Sequence, residues 1–507
     1  MAMAEGLIFG KVSSFDLRSH FWKAKVGKNE LVLLAGKSRI ILQKLAYPKL
    51  LFKRTKNKIK FGYEGEIEFS LKKGGLVLES GISNTVPLYY STNDRQMLFA
   101  TNYIDLLPYF PQPITLNLPL TAEYLLLSGY DDKNTLLKNV FLLTERTKLA
   151  WDGKRFNLKR PQKKKPQSEN LKLTQEQALA QFEKLLNRVI AKKLKELRGV
   201  PFGVELSGGL DSSTLTAAII NKARRPIEAF SMILPEAQGR AQLKRLQDFS
   251  RKFLCRLNLV KTDNLYPFKN RGKKRGLFYP LEEIYREALV ELAKTAKKRG
   301  IKIIFTGMGG DELFRLDPRE NKGFYGKEEL EERRQRKIPS FFTSKIKKAF
   351  LDKEYVLPER PVPVVPHSVL SAGHARNNLY IKENVWPVAI FGDSSLVNFC
   401  RRLPADLRAN KKLFRRYQEK HHFPNSFLTL EKKDSFHPLY ELGIKEKEKL
   451  FLIELFKNSQ LEKLGLVDGK KLIQSYKRYI EGDGPEEHFY GLASLEIFLR
   501  GLRQERR

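Results

Sequence analysis

"LSGGLDSS" (residues 206–213) stands between an apolar run, VPFGVE, and a helical pattern, TLTAAIINKA. Adjacent glycines let the backbone approach an anion closely, and the amides at the start of the next helix attract phosphate. The serines add hydroxyl donors, and Asp211 suits a Mg²⁺ that bridges phosphates. The GK[ST] ending of the Walker loop is missing, and a Gly-Gly turn with a polar helix cap is the simpler interpretation. Between a strand and a helix, the whole stretch favours a phosphate-binding loop.

The chain around this loop alternates between strand and helix patterns. Thr174 and Gln177 form a capping-box pattern at the start of an amphipathic helix that continues to about residue 197. Strands are predicted at 199–206, 227–234, 258–262 and 301–306, and further helices at 212–223, 240–255 and 281–299. This alternation predicts a parallel sheet with helices on both faces. In such sheets ligands bind at the carboxyl ends of the strands, where the 206–213 loop lies.

A second motif, IIFTGMGGDELF (residues 303–314), places a glycine turn and two acids after another predicted strand. Acids in this position could simply compensate the dipole of the next helix. Because the motif follows another predicted strand, Asp311 is also a candidate for the ligand-binding edge of the sheet. Two carboxylates on one metal ion can hold a pyrophosphate leaving group.

Together the two motifs resemble those of asparagine synthetases, within the PP-loop ATP-pyrophosphatases that adenylate their substrates. The resemblance implies ATP and Mg²⁺ as cofactors, with Asp211 and Asp311 as metal ligands. The implied nucleotide-binding residues are Leu206, Ser207, Gly208, Gly209, Asp211, Ser212, Ser213, Met232, Thr306 and Gly307. Met308 stands where the family usually carries an acid, and no GGY follows Phe314. We therefore expect an altered substrate side.

Two catalytic residues are implied by weaker similarity. YIKENVWPVAIFGD (residues 380–393) resembles the family's E-x-R-x-P-F-L-D segment, with Glu383 and Pro387 matching and Val385 in place of the arginine. This makes Glu383 a candidate general base for the attacking amine. Residues 410–436 resemble the K-x-x-x-R…P…K-x-x-F run that closes the synthetase site. Lys433 then falls on the lysine that stabilises the developing negative charge.

Residues 1–158 contain mostly short β-rich segments, and 159–173 form a basic linker before a domain that spans 174–507. Residues 5–12 and 84–107 resemble parts of the glutaminase domain of asparagine synthetases. Glu5 stands where that domain has its catalytic cysteine, and the first cysteine is Cys255. The implied fold is an α+β, Ntn-type glutaminase-like domain with a β-rich sandwich. An α/β parallel-sheet PP-loop ATP-pyrophosphatase domain with a helical C-terminal part follows it. We expect no glutamine hydrolysis, because a carboxylate cannot replace the thiolate.

The 507-residue chain has a net charge of +37, which attracts polyanions such as nucleic acid or an acidic peptide. No 18-residue uncharged apolar run and no signal peptide are found, so we expect a cytoplasmic protein without a membrane span. The two cysteines lie in apolar patterns and indicate no disulfide framework.

These features predict an ATP-dependent ligase that forms AMP and pyrophosphate, adenylates a carboxylate and joins it to an amine without hydrolysing glutamine. The first hypothesis is a lasso-peptide macrolactam synthetase, because these cyclases and the beta-lactam synthetases also have an inactive glutaminase-like domain. Its partners are a peptide or small-molecule carboxylate, or a precursor peptide with its leader-binding and protease proteins. The alternatives are an ammonia-dependent asparagine synthetase-like enzyme, a beta-lactam synthetase-like enzyme and a PP-loop tRNA-modifying adenylase. Nucleic acid is not the favoured partner.

Overall fold

A computed structural model describes 21 parts of the chain. These are residues 9–13, 23–26, 30–35, 38–43, 52–55, 58–61, 67–72, 75–81, 86–93, 96–101, 106–107, 114–127, 134–152, 155–160, 171–269, 271, 279–314, 338–352, 367–429, 434–486 and 488–504. Glu5 and Lys433, which the sequence analysis singles out, lie outside the described residues.

The N-terminal part contains two antiparallel sheets and one helix. Its elements are β1 (Phe9–Ser13), β2 (Lys23–Val26), β3 (Glu30–Ala35), β4 (Ser38–Gln43), β5 (Phe52–Thr55), β6 (Lys58–Phe61), β7 (Ile67–Lys72), β8 (Gly75–Ser80), β9 (Tyr89–Asn93), β10 (Gln96–Ala100), α1 (Leu118–Leu127), β11 (Phe141–Leu142), β12 (Lys148–Trp151) and β13 (Phe156–Lys159). The strand orders are β11-β9-β10-β1-β4-β3-β2 and β13-β12-β8-β7-β6-β5.

The two sheets share one apolar core. Leu78 of β8 and Trp151 of β12 belong to the same buried cluster as Met97 and Phe99 of β10. β12 and β13 pair antiparallel, and between them the side chain of Asp152 accepts a hydrogen bond from the backbone of Arg155 at 2.7 Å. The predicted β-rich character of this part is therefore confirmed, while its glutaminase-like identity stays a prediction.

A five-stranded parallel sheet forms the centre of the second part. Its elements are α2 (Gln175–Glu196), β14 (Phe202–Glu205), α3 (Leu210–Ala223), β15 (Glu228–Ile233), α4 (Glu236–Phe253), β16 (Arg256–Lys261), α5 (Arg286–Lys298), β17 (Ile303–Thr306), α6 (Gly310–Leu313), α7 (Ser344–Leu351), α8 (His367–Lys382) and β18 (Trp386–Ala389). The strand order is β16-β15-β14-β17-β18, and every pair is parallel. The predicted capping box at Thr174 and Gln177 is present at the start of α2.

Helices cover both faces of this sheet, as the sequence pattern predicts. On one face, Val204 of β14 belongs to a core cluster with Ala217 of α3. On the other face, Phe230 of β15 clusters with Leu292 of α5 and Leu379 of α8. Burial on both sides accounts for the nearly continuous apolar strands. Because β14 and β17 pair in parallel, their carboxyl ends lie next to each other at one edge of the sheet.

The described residues beyond β18 are mainly helical. Its elements are the 3₁₀ turns Ile390–Gly392 and Ala409–Lys411, α9 (Ser394–Arg401), α10 (Ala405–Arg408), α11 (Lys412–Lys420), α12 (Asn425–Leu428), α13 (His437–Glu441), a π-helical segment (Leu442–Lys447), α14 (Lys449–Phe456), α15 (Gln460–Lys463), α16 (Gly469–Glu481) and α17 (Phe489–Gln504). Within the described part of the chain, no helix is long and apolar enough to span a membrane.

Buried polar contacts join the N-terminal part to the part that contains the parallel sheet. The hydroxyls of Tyr89 and Tyr279 lie 2.6 Å apart, and their rings meet edge to face. Tyr124 donates to the carbonyl of Pro280 at 2.8 Å. Burial, more than any other cause, raises the pKa of Tyr89 and of Tyr124 above the ordinary tyrosine value, so both hydroxyls stay protonated. The contact between the two parts is therefore a packed and hydrogen-bonded interface.

Candidate active site

The 206–213 loop connects β14 to α3 and is fixed by its own side chains. Gly208 has φ = +84°, a left-handed conformation that glycine adopts without strain, and Gly209 caps α3. The hydroxyl of Ser212 accepts from the backbone of Ser207 at 3.1 Å and lies 2.9 Å from that residue's own hydroxyl. These contacts hold the turn so that the N-terminal amides of the 14-residue helix α3 lie at the loop.

The second motif approaches the first closely because it has glycine at the points of contact. A Cβ added to Gly307 would lie 2.9 Å from the backbone nitrogen of Ser212, and one added to Gly310 would lie 2.5 Å from Cγ of Asp211. Real Cβ atoms do not come so close to other atoms, so no larger residue fits unless its neighbours move. The glycines of GMGGDE therefore bring the two acidic loops together.

Lys411 lies between the two acids. Its Nζ is 2.5 and 2.6 Å from the carboxylate oxygens of Asp211 and 2.5 Å from Oδ1 of Asp311. The Lys411 side chain is 13% exposed, whereas that of Asp311 is 55% exposed, so the acid pair is open to solvent on one side. The predicted proximity of Asp211 and Asp311 is present in the structure.

A cavity of about 570 Å³ opens beside these groups, a volume typical of small-molecule sites. Its lining comprises the first loop, the ends of β14 and β15, the second loop, and residues from α4, α8 and the segments around α11 and α12. The residues are Glu205, Ser207, Gly209, Leu210, Asp211, Ser212, Met232, Leu234, Gln242, Gly307, Met308, Asp311, Arg376, Asn410, Lys411, Arg415, Phe427, Asp434 and Phe436.

The wall of the cavity at the end of β14 carries a buried ion pair. Arg376 of α8 donates to Glu205 at 2.8 Å, and its Nε lies 3.7 Å from Glu283. Tyr380, one turn further along α8, donates to the second oxygen of Glu205 at 2.9 Å. Burial and then the Glu205 charge raise the pKa of Tyr380 well above the ordinary value, so this hydroxyl remains a donor. Burial alone would lower the pKa of Arg376, but Glu205 and Glu283 raise it.

Helix α4 connects the rim of the cavity to the 206–213 loop. The Gln242 amide donates to the carbonyls of Ser207 at 2.8 Å and Met232 at 3.0 Å, and it accepts from the backbone of Leu234 at 2.9 Å. One turn further on, Arg245 forms an ion pair with Asp434. The buried amide thus has a partner for both its donor and its acceptor groups, which makes the rim rigid.

Part of the predicted nucleotide-binding set lies at the cavity. The residues that line it are Ser207, Gly209, Asp211, Ser212, Met232 and Gly307, together with the metal ligand candidate Asp311. Leu206, Gly208, Ser213 and Thr306 do not line it. Ser213 is fully buried and accepts from Gln418 of α11 at 3.0 Å, which fits a role in packing. The Thr306 hydroxyl is buried at the end of β17, and among the described residues it has no hydrogen-bond partner.

Glu383 does not reach this site, which corrects its prediction as a general base. It lies in the turn before β18, at the amino-terminal edge of the sheet, and its carboxylate accepts from Lys297 at 3.1 Å. The cavity lies at the carboxyl ends of the strands, and a parallel sheet separates its two edges by the length of a strand. The short similarity to the family segment therefore gave Glu383 a role that its position excludes.

Sequence reasoning missed Glu205, Gln242, Arg376 and the position of Lys411. A signal existed for Glu205, because it is a charged residue at the end of the otherwise apolar run before the loop. Lys411 lies in the basic 410–436 segment, but nothing there distinguishes it from Lys412. Arg376 and Gln242 are brought in by helix packing, for which the local sequence gives no signal.

The donor set at Asp211 and Asp311 fits Mg²⁺, which prefers oxygen ligands and few carboxylates. Their Oδ1 atoms both lie 2.5 Å from Lys411 Nζ. They are therefore at most about 5 Å apart, close to the span that one ion with 2.0–2.1 Å bonds bridges. Among the described residues, no group of three or more His, Cys, Asp or Glu side chains comes together. Phosphate and water would supply the other ligands.

A parallel α/β sheet with a glycine-serine loop and a pair of acids at its carboxyl edge fits the PP-loop class of nucleotide-using domains. Residues 181–361 match the family model of asparagine synthase, and this match supports a relationship of that part of the chain to the asparagine synthetase superfamily. The match supports an ATP-using ligase or adenylating enzyme. No curated protein sequence matches the chain.

Two solved structures show limited similarity. One is the U34-tRNA thiolase NcsA from Methanococcus maripaludis with its [4Fe-4S] cluster, with a TM-score of 0.26, 12% identity and coverage of 61% of this chain and 80% of that chain. The other is NMN synthetase from Francisella tularensis, with a TM-score of 0.26, 11% identity and coverage of 64% and 94%. At these scores neither likeness indicates an activity for this chain.

Proposed function

We propose that the protein is an ATP-dependent amide-forming ligase that releases AMP and pyrophosphate. The observation that carries this proposal is the meeting of Asp211 and Asp311 on one ammonium group, beside the phosphate loop. Acids from two loops at one point are chemically suited to a metal-bound pyrophosphate, whereas a phosphate-binding turn alone needs neither acid.

In the first step, a substrate carboxylate oxygen forms a bond to the α-phosphorus of ATP. The bond from the α-phosphorus to the oxygen that bridges to the β-phosphate breaks, and pyrophosphate leaves. Ser207 and Ser212, which line the cavity, and the amides at the start of α3 would bind phosphate oxygens. Asp211 and Asp311 would hold Mg²⁺, which supplies positive charge to the leaving pyrophosphate. The second step joins an amine to the acyl carbon and releases AMP and a proton.

The adenine and the acyl substrate require different walls of the cavity. Met232 and Leu234, at the end of β15, form an apolar side that suits a purine ring. Glu205 and Arg376 form the polar side, where a charged substrate group is electrostatically tolerated. Met308, in place of the family's usual acid, removes one negative charge from the substrate side.

Within this reaction class, we propose a macrolactam synthetase of the lasso-peptide type, which joins the N-terminus of a peptide to an Asp or Glu side chain. Glu5 at the position of the glutaminase cysteine supports an amine source other than glutamine. The net charge of +37 favours an acidic peptide substrate. A precursor peptide and its leader-binding and protease proteins would be the partners.

The test is mass spectrometry of candidate precursor peptides after incubation with the protein, ATP and Mg²⁺. The expected product has lost one water and appears in equal amount with AMP and pyrophosphate. A peptide whose acceptor Asp or Glu is replaced by Asn or Gln is the matched control. AMP release without loss of water from any peptide would contradict the macrolactam assignment while leaving the adenylation in place.

The asparagine synthase match favours a second candidate, formation of asparagine from aspartate, ATP and ammonium. The same incubation with ammonium, and separately with glutamine, decides between them. Asparagine formed from ammonium but not from glutamine would establish this alternative. The positive charge also suits a tRNA-modifying adenylase, whose tRNA affinity would fall steeply with rising salt concentration.

A further inference from the structure

We propose that Lys411 is an internal counter-cation, which holds Asp211 and Asp311 together in the free protein and is displaced when a metal ion binds. The proposal rests on the metal site of the proposed function. It assigns to Lys411 a role that neither sequence motif contains, namely competition with the metal for the same carboxylate oxygens.

The geometry supports competition rather than simple proximity. Lys411 Nζ contacts both oxygens of Asp211 and one oxygen of Asp311 at 2.5–2.6 Å, so it occupies the space between the two acids. A divalent ion bound there would lie within a few ångströms of the ammonium, and like charges at that distance repel strongly where water is partly excluded. The ammonium and the metal therefore cannot share these oxygens.

The backbone holds Lys411 in this position. Asn410 and Lys411 have φ of +53° and +54°, two consecutive left-handed residues between α10 and α11. Such a conformation is unfavourable for residues other than glycine and persists where the surroundings fix it. The carbonyl of Asn410 also accepts from Arg415 Nε at 3.3 Å. The turn thus directs the Lys411 side chain to the acids instead of into solvent.

Displacement needs no change of fold. The Lys411 side chain has four rotatable methylenes, and the exposed side of Asp311 leaves space for the ammonium to move. When the metal arrives with ATP, the phosphates are the nearest new anions, so the freed ammonium gains a partner. When the metal binds without ATP, the displaced ammonium gains no such anionic partner. Metal and nucleotide should therefore bind cooperatively.

The test measures Mn²⁺ binding without nucleotide by electron paramagnetic resonance in the wild-type protein and in Lys411→Met. Removing the competing charge should tighten Mn²⁺ binding at least about tenfold, which corresponds to 1.4 kcal/mol. Lys412→Met is the matched control, because it removes the same charge from the neighbouring residue, the first of α11, which does not line the cavity. Unchanged or weaker Mn²⁺ binding by Lys411→Met would overturn the proposal.

Two further measurements keep the result interpretable. If Lys411→Met folds poorly, Lys411→Gln retains polarity at the same place, and Mn²⁺ should raise its melting temperature more than that of the wild type. Addition of Asp211→Asn to Lys411→Met should abolish the gain in affinity, and a gain that persists would refute the shared site. Failure of the wild type to form AMP would count against the proposed function, while the Mn²⁺ comparison still decides the role of Lys411.

Discussion

The substitution Gly310→Ala tests the contact between the two acidic loops directly. Gly310 is the first residue of α6, and an alanine Cβ there would lie 2.5 Å from Cγ and 2.7 Å from Cβ of Asp211. The backbone of Gly310 is not left-handed, so alanine adds no conformational strain. The whole effect of the substitution must therefore come from the side chain of Asp211.

The size of the effect follows from this overlap. Ordinary contact between carbon atoms requires about 3.5–4.0 Å, so the Asp211 carboxylate must move by about 1 Å. Overpacking of this kind costs about 1–3 kcal/mol of stability, and the partial exposure of Asp211 favours the lower end. A displacement of about 1 Å at a reacting centre can lower activity by about a hundredfold. We expect Gly310→Ala to lower the rate of Mg²⁺·ATP turnover far more than it lowers the stability of the fold.

The assay is AMP release with the best substrate available, together with thermal melting of the same samples. Gly300→Ala is the control, because Gly300 has φ = +74° and no atom within 4 Å of an added Cβ. This control loses about 1–3 kcal/mol through backbone strain alone and should keep its activity. If Gly310→Ala retained wild-type activity, or if both variants lost it equally, the described contact between the loops would be refuted.

Three other perturbations have definite expected outcomes. Asp211→Asn should abolish ATP–pyrophosphate exchange at an unchanged melting temperature; wild-type exchange would remove this residue from the metal site. Glu205→Gln should destabilise the protein by about 1–3 kcal/mol, because it leaves the partly buried Arg376 guanidinium undercompensated, and urea unfolding measures this loss. A loss below about 1 kcal/mol would show that Glu283 alone compensates the arginine. Burial raises the pKa of Cys255 to about 11, and it also raises that of Cys400. A thiolate reagent at pH 8 should therefore label neither cysteine in the folded protein and both in denaturant. Since the folded pKa is raised, the contribution of Cys255 to stability is complete below the ordinary thiol pKa and is lost as the pH rises through about 11.

The parallel domain could be predicted from sequence because several local signals agreed. The capping box at Thr174, the apolar strands and the two glycine motifs each point to the same alternation. The resemblance of the two motifs to those of asparagine synthetases assigns Asp211 and Asp311 to one metal ion, and the structure brings the two acids together. Local pattern and global fold were consistent here, which makes such a prediction reliable.

The remaining part of the site depends on tertiary packing. Arg376 lies 171 positions from Glu205 along the chain, and only the packing of α8 on the sheet joins them. Glu383 was assigned to the site by similarity over a short segment, although it lies at the opposite edge of the sheet. Such similarity fixes neither the register of a strand nor the edge on which a residue lies. Lys411 reaches the acids through a left-handed backbone conformation. A lysine in a sequence does not indicate that conformation.

The tyrosine contacts between the two parts of the molecule have a consequence for how the protein can be divided. Asn378 donates to the carbonyl of Thr101 at 3.2 Å, and it lies two positions after Arg376 on the same helix. A shortened protein without the β-rich half would leave this amide and Tyr279 exposed and would loosen the helix that carries the polar wall of the cavity. The β-rich half thus supports the helix that carries the polar wall of the cavity, whether or not it has chemistry of its own.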